Sequence, residues 1–267
     1  MTEKKHTFAI LAYKESPHLQ ECIDSLKNQT LPSEIAIFTS TPSIFLENIA
    51  KKNNLPLFVN PVRNGIASDW NFALKGETTK YVTLTHQDDI YFPKYSEEIL
   101  KTGETKKDVL LIFSNYDEIV SNKVKTFIRK KSLNFFIKET MLKFFFKSKK
   151  CLTKNKQRLL AFGNPIGCPT VTFAKNNLGN FEFDKNFSIN MDWKAWSDLA
   201  EKDGSFIWIR KVLVSHRIYA ESETTQGIAE NRRQKEDLEM FKKNLPPIFA
   251  LLISKIYSLS YKNNNNS

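Results

Sequence analysis

Two carboxylates side by side, Asp88 and Asp89, follow an apolar stretch directly in the run Thr83-Leu84-Thr85-His86-Gln87-Asp88-Asp89. Adjacent carboxylates repel, and a folded chain keeps such a pair most readily when a cation is shared between them. Mg²⁺ or Mn²⁺, held by one or two carboxylates with phosphate oxygens completing the shell, suits the arrangement. The alternative is a solvated turn in which Asp89 caps the next helix. His86 can ligate a metal, although a lone histidine beside a site more often forms a hydrogen-bonding wall.

The elements that position this pair alternate. Thr7 to Ala12 reads as a buried strand and Pro17 to Gln29 as a helix with Leu19, Cys22, Ile23 and Leu26 on one face. Strands follow at Ile35 to Thr39, Leu55 to Val59, Lys80 to Thr85 and Asp108 to Phe113. Helices between them open at Ser40-Thr41-Pro42 and at Gly65. This order predicts an α/β protein with a mostly parallel sheet flanked by helices. Ligands in such sheets sit at the carboxyl ends of strands, where His86 to Asp89 falls. Farther on, strands are expected at Val171 to Ala174, Ser205 to Ile209 and Val212 to Ile218, with a helix from Asp192 to Lys202. A helical tail, Asn231 to Tyr261, breaks at Pro246-Pro247.

Composition narrows the class. The 267 residues are 41% hydrophobic and 12% aromatic, enough for a full core. Cys22, Cys151 and Cys168 are widely spaced, which suits a reducing cytoplasm and indicates neither a disulfide framework nor a zinc site. No secretory signal is read at the start, and the apolar stretch Ile248 to Tyr261 is too short to span a bilayer. A cytoplasmic protein is expected, soluble or peripheral on the inner face of the plasma membrane. The net charge of +11 implies acidic partners. It concentrates between Ser121 and Leu160, where thirteen Lys and Arg face Glu139 alone. Leu133, Ile137, Met141 and Phe144 share a helical face there, which points to an anionic membrane surface or to a helical insert packed on the main domain. No recognised nucleic-acid module surrounds the run, so no nucleic acid is expected. The tail could cover this insert, meet the membrane or form a homodimer contact.

Four segments in order resemble a family 2 glycosyltransferase of the GT-A fold. Phe8 to Glu15 with Leu19 to Thr30 is similar to the family's opening strand, nucleotide-binding loop and first helix. Asn64-Gly65 with Asp69 to Leu74 resembles its donor-side helix, and Thr83 to Asp89 its DxD segment. Asn190-Met191-Asp192-Trp193 resembles the segment that supplies the general base. The resemblance implies an inverting sugar transfer from a nucleotide-diphosphate sugar to a glycan or lipid-linked acceptor, of the bacterial surface-polysaccharide type. It places Asp192 as base, the alternative being a helix cap. It places Asp88 on the metal, with Asp89 in direct contact or just behind it. Donor contacts fall on Ala12, Tyr13, Glu15, Ser40, Asn64, Asp69, Asn71, Gln87 and Asp88. Val214 to Thr225 resembles the closing segment, with Arg217 and Ser222 towards the diphosphate. Asn164, Cys168 and Trp193 would line the acceptor cleft.

The resemblance implies that residues 1–120 form the nucleotide-sugar-binding half, 121–160 a basic Phe-rich insert, 161–230 the acceptor half and 231–267 a helical elaboration. The sequence departs from the family pattern at four places: His86 stands for the first Asp of DxD, Met191 for the Glu before the base, Ser40 for the carboxylate ending the second strand, and Tyr219 for the closing histidine. A nucleotidyltransferase would normally carry a Gly-rich loop where Ala12-Tyr13-Lys14-Glu15 stands. A degenerate transferase fold acting as a basic membrane or scaffold module is the non-enzymatic alternative.

Overall fold

The computed structural model describes residues 5–120, 133–147, 150–218 and 232–262. Apolar runs with β-branched and aromatic residues form nine strands among these: β1 (His6–Leu11), β2 (Glu34–Thr39), β3 (Leu57–Val59), β4 (Tyr81–His86), β5 (Ile90–Tyr91), β6 (Val109–Val120), β7 (Cys151–Leu152), β8 (Val171–Ala174) and β9 (Ser205–Ile218). They make one sheet in the order β3-β2-β1-β4-β8-β6-β9-β5, with β7 also paired to β9. β1 to β4 pair in parallel, β8 runs antiparallel between β4 and β6, and β6 and β9 are parallel. The sheet is mixed and mostly parallel, as the alternating pattern requires.

Strand alternation sends Phe8, Ile10, Ile37 and Ile112 to one face and Ala9, Val82, Leu84, Leu111 and Phe113 to the other. The first face is covered by α1 (Leu19–Lys27), α2 (Ile44–Asn53) and α4 (Tyr95–Gly103). The second carries α3 (Gly65–Gly76), α5 (Leu133–Phe146), α6 (Lys156–Leu160), α7 (Met191–Glu201), α8 (Arg232–Asn244) and α9 (Pro247–Lys262). Trp193 and Trp196 of α7 and Trp208 of the sheet are its largest fully buried side chains.

Several expected boundaries move. β6 continues to Val120 and pairs along β9, so the two strands expected at 205–209 and 212–218 are one. The exposed Arg210-Lys211-Val212 in the middle of β9 gave the appearance of a break. α2 is capped by Ser43, whose side chain accepts from the Leu46 amide, and not from Ser40. In α5 the buried positions are Leu142 and Phe146, while Ile137 and Phe144 of the expected apolar face are exposed. The basic run Lys123 to Lys131 lies outside the described residues. The tail breaks at Pro246-Pro247, between α8 and α9, where the imino residues cannot continue a helix.

His6 opens β1 wholly buried, its Nδ1 2.8 Å from Ser33 Oγ and its Nε2 2.8 Å from Thr83 Oγ1. Burial lowers its pKa from 6.5 to about 3. Above pH 6.5 the ring is neutral in folded and unfolded chains alike. Below it only the unfolded chain takes up the proton, so stability is lost as pH falls towards 3, by about 1.4 kcal/mol per unit. Urea unfolding of wild type and His6→Gln between these limits should show a shallower slope in the variant.

Candidate functional site

The site collects where β1 and β4 end and the second half of β9 passes beside them. β1 delivers Ala12, whose amide donates to Phe38 O at 2.8 Å, and then the half-exposed Tyr13. Lys14 takes a left-handed turn (φ 56°), with its amide on Thr41 Oγ1 at 2.7 Å. The Gln87 amide fastens this loop to the next: Tyr13 N–H donates to Gln87 Oε1 at 3.2 Å, and Gln87 Nε2 donates to Tyr13 O at 2.9 Å. Ser40 donates to Asp69 Oδ2 at 2.7 Å and Asn60 to its Oδ1 at 2.8 Å, joining the ends of β2 and β3 to α3. Glu15 and Asn64 are exposed on this rim.

Beneath the rim lies Asp89, with no exposed surface. Its Oδ1 accepts from His216 Nδ1 and from the Arg217 amide, each at 2.9 Å, and its Oδ2 lies 3.4 Å from His86 Nδ1. Burial works against this carboxylate, but the His216 charge and hydrogen bond, His86 and the Arg217 amide together hold its pKa below the usual value. The same pairing overcomes burial at His216 and pushes it up to about 9. Arg217 is itself buried; its Nε donates to Asp88 O at 3.0 Å and its Nη2 to Glu21 Oε2 at 2.7 Å.

The donor set suits a divalent cation. His86, Asp89 and His216 each offer a ligand atom, all within 4.8 Å of one another. Two of the buried polar atoms there, His86 Nε2 and Asp89 Oδ2, lack hydrogen-bond partners. Two imidazoles and a carboxylate favour Mn²⁺ and its transition-metal neighbours over Mg²⁺. Asp88 stands half-buried at the edge of this group, and its charge acts on His216.

Across the cleft, Asp192 occupies the first turn of α7. Its Oδ2 accepts from Asn164 Nδ2 at 2.8 Å and its Oδ1 from the Trp193 amide at 2.7 Å. Burial raises its pKa, offset in part by the Trp193 amide and by the charges of Lys138, Arg233 and His86. The reach of His86 ties this carboxylate to the metal-competent group, and the Cys168 thiol, raised by burial, feels both Asp192 and Asp89. The loop carrying Asn164 and Cys168 approaches closely because Gly167 has no side chain: a Cβ there would lie 2.6 Å from the Tyr116 ring, which in turn packs on His216.

Two expected ligand contacts are structural. Trp193 is 1% exposed, donates Nε1–H to Leu160 O at 2.9 Å and packs on Phe241 and Tyr257, so its indole belongs to the core. Asn71 is buried with both ends of its amide on the Phe183 backbone, at 3.0 and 2.7 Å. Ser222 and Tyr219 fall outside the described residues.

Residues 7–175 match the family described as glycosyl transferase family 2. The chain belongs to that family. An uncharacterized glycosyltransferase of Methanocaldococcus jannaschii, MJ1057, is 26% identical over 210 residues, 75% of this chain and 66% of the relative. The putative glycosyltransferase EpsH of Bacillus subtilis is 26% identical over 113 residues, 40% of this chain and 32% of the relative. The chain thus spans less than two thirds of either relative's length. Among solved structures, the Pyrobaculum calidifontis mannosyltransferase PcManGT in complex with GDP-Man and Mn²⁺ superposes with a TM-score of 0.64 at 16% identity, covering 96% of this chain and 70% of that one. S. aureus TarS 1-349 with UDP-GlcNAc gives 0.59 at 13% identity, over 94% of this chain and 70% of that one. These likenesses establish the GT-A fold.

For this family 2 chain, sequence reasoning passed over His216 and Glu236. His216 lies 127 residues from Asp89, and only in the fold is that carboxylate seen to be buried and in need of a partner. Glu236 had no local signal, because it reaches back from α8 to the loop before α7. Its carboxylate accepts from the Ser188, Ile189 and Asn190 amides at 3.0, 2.9 and 2.7 Å, and Asn190 donates to Asp237 Oδ1 at 2.7 Å. Asp192 follows two residues later. Hydrogen bonds to a charged group contribute about 1.5–3 kcal/mol each, though not additively. Glu236→Ala should lower the unfolding free energy by at least about 2 kcal/mol in urea titration, with Glu236→Gln retaining part of it.

Proposed function

We propose that this chain transfers a sugar from a nucleotide-diphosphate donor to a hydroxyl of a glycan or lipid-linked acceptor, with inversion, in bacterial surface-polysaccharide assembly at the cytoplasmic face. The observation that carries the reading is the half-buried Asp192 carboxylate, held by Asn164 and the Trp193 amide within reach of the His86 charge. The relatives' names support a transferase, and neighbours solved with UDP-GlcNAc or with GDP-Man and Mn²⁺ support a nucleotide-sugar donor.

In this reading the nucleotide lies along Ala12, Tyr13, Glu15, Ser40 and Asn64, with the diphosphate turned towards Gln87 and Asp88. Tyr13, half exposed, offers a ring for the base to pack on. Asp69 acts indirectly, by fixing Ser40. Arg217 holds the 86–89 loop through Asp88 O while bringing positive charge close to the diphosphate. His86, Asp89 and His216, with Asp88 beside them, would hold a divalent cation, Mn²⁺ or Mg²⁺, which would supply charge neutralisation for the departing diphosphate.

The acceptor enters past Asn164 and Cys168. Asn164 holds one oxygen of Asp192 and the Trp193 amide the other, so the carboxylate cannot swing away. Asp192 takes the hydroxyl proton as the acceptor oxygen attacks the anomeric carbon. The bond from that carbon to the diphosphate breaks on the opposite face, and the electron pair leaves with the nucleoside diphosphate. Burial raises the carboxylate's basicity, which favours proton transfer near neutral pH.

Nucleotide release with a panel of nucleotide sugars, with and without Mn²⁺, tests the reading. Asp192→Asn should lower turnover roughly 10²–10⁴-fold while donor binding persists. Asp88→Asn should weaken binding of the donor–Mn²⁺ complex itself. Full turnover in Asp192→Asn, or release from no donor by the wild type, would overturn it.

A further inference from the structure

The last helix of the described chain presents apolar side chains outward. On α9, Ala250, Ile253 and Tyr257 face the protein, as an amphipathic helix requires. The opposite side should be polar. Instead Ile248, Leu252 and Ile256 form its central row at i, i+4 and i+8, with Ile248 80% exposed. Phe249 and Leu251 flank that row. A helix apolar all round is ordinarily buried or in contact with lipid. α9 has 16 residues, and no described helix is long and apolar enough to cross a membrane.

A second exposed apolar patch lies on α5. On α5, Phe136 and Phe144 are exposed, Phe144 by 67%, interleaved with exposed Lys143 and Lys147. α5 and α9 belong to one packed cluster, and Lys138 of α5 feels Tyr257 of α9. Both border the acceptor side of the cleft. The Tyr257 ring lies 6.3 Å from Trp193 and would meet a Cβ at Gly163, the neighbour of Asn164, at 3.4 Å. The charge of Lys138 reaches Asp192.

We propose that α9 and α5 together form a face that lies on an anionic membrane surface and turns the Asp192 side of the cleft towards it. Charge selects this occupant. α9 carries lysines and no acid, and Glu139 of α5 is paired with Lys143 at 3.0 Å. Lys143 and Lys147 of α5 and Lys255 of α9 are exposed. Two copies meeting through this face would set lysines against lysines, whereas anionic headgroups meet them with opposite charge, at about 1 kcal/mol per lysine near the surface. The aliphatic rows would enter the headgroup boundary, with Lys255 reaching outward between Leu251 and Ile256. The inference deepens the transferase reading, on which it rests for the acceptor: it specifies a lipid-borne hydroxyl delivered from the bilayer plane.

The test is co-sedimentation of the full chain with vesicles of phosphatidylcholine alone and with about one third phosphatidylglycerol. Wild type should partition onto the anionic vesicles and release as salt rises. The triple variant Ile248→Glu, Leu252→Glu, Ile256→Glu should partition at least about tenfold less. A second variant, Lys143→Glu with Lys255→Glu, should lose binding to anionic vesicles. All substituted side chains are exposed, and thermal unfolding of each variant confirms that it folds. Equal partition of wild type and folded variants would overturn the proposal. So would a wild-type dimer that shows no vesicle binding and is dissociated by the triple variant, which assigns the face to a second copy. Nucleotide release in vesicle-free samples reports on the transferase reading separately.

Discussion

A carboxylate with no exposed surface organises this molecule's centre. Leaving Asp89 charged in the interior requires compensation, and the chain supplies it from β9, far away in sequence, through the His216 ring and the Arg217 amide. That pairing, with the β5–β9 ladder, fastens the loop after β4 to the second half of β9. Arg217 then carries the connection outward to Glu21 on α1 and to the backbone of Asp88. Loss of the Asp89 carboxylate would leave His216 and a backbone amide without their acceptor. The geometry of Gln87 and Asp88, and the loop they share with Tyr13, would then lose part of its support.

The opposite wall is built by the same logic with different residues. Glu236 gathers three successive amides ahead of α7, which leaves the start of that helix no freedom to drift. Asn164 and the Trp193 amide then set the orientation of Asp192. A core of Trp193, Phe241 and Tyr257 lies directly beneath. The two walls meet through Tyr116 and the glycine at 167, so the distance between them is fixed by packing and not by a ligand.

Much of this was legible in the residues because local pattern and tertiary role coincide there. β1, β2 and β4 are short apolar runs ended by polar turns, and α7 has helical spacing of Trp and Ala, so their positions follow from periodicity. The carboxyl end of β4 pointed to the candidate site because ligand clefts in such sheets form there. What could not be read is long-range. Asn71 and Trp193 look like binding residues in sequence, yet their polar atoms are taken up by the backbone at Phe183 and Leu160. His216 and Glu236 act on segments more than 40 residues away, and no window of sequence joins them to Asp89 or Asn190. The two-residue β5 is too short for any periodicity to show.

The central claim is that the His86–Asp89 loop and Asp192 face one another across a space that a single sugar fills. A crystal structure with a nucleotide sugar and Mn²⁺ bound measures this directly. The account predicts the diphosphate against Gln87 and Asp88, and the anomeric carbon between it and Asp192, with room for one hydroxyl oxygen on the Asp192 side. A donor whose diphosphate lies away from that loop, or whose anomeric carbon turns from Asp192, would contradict it.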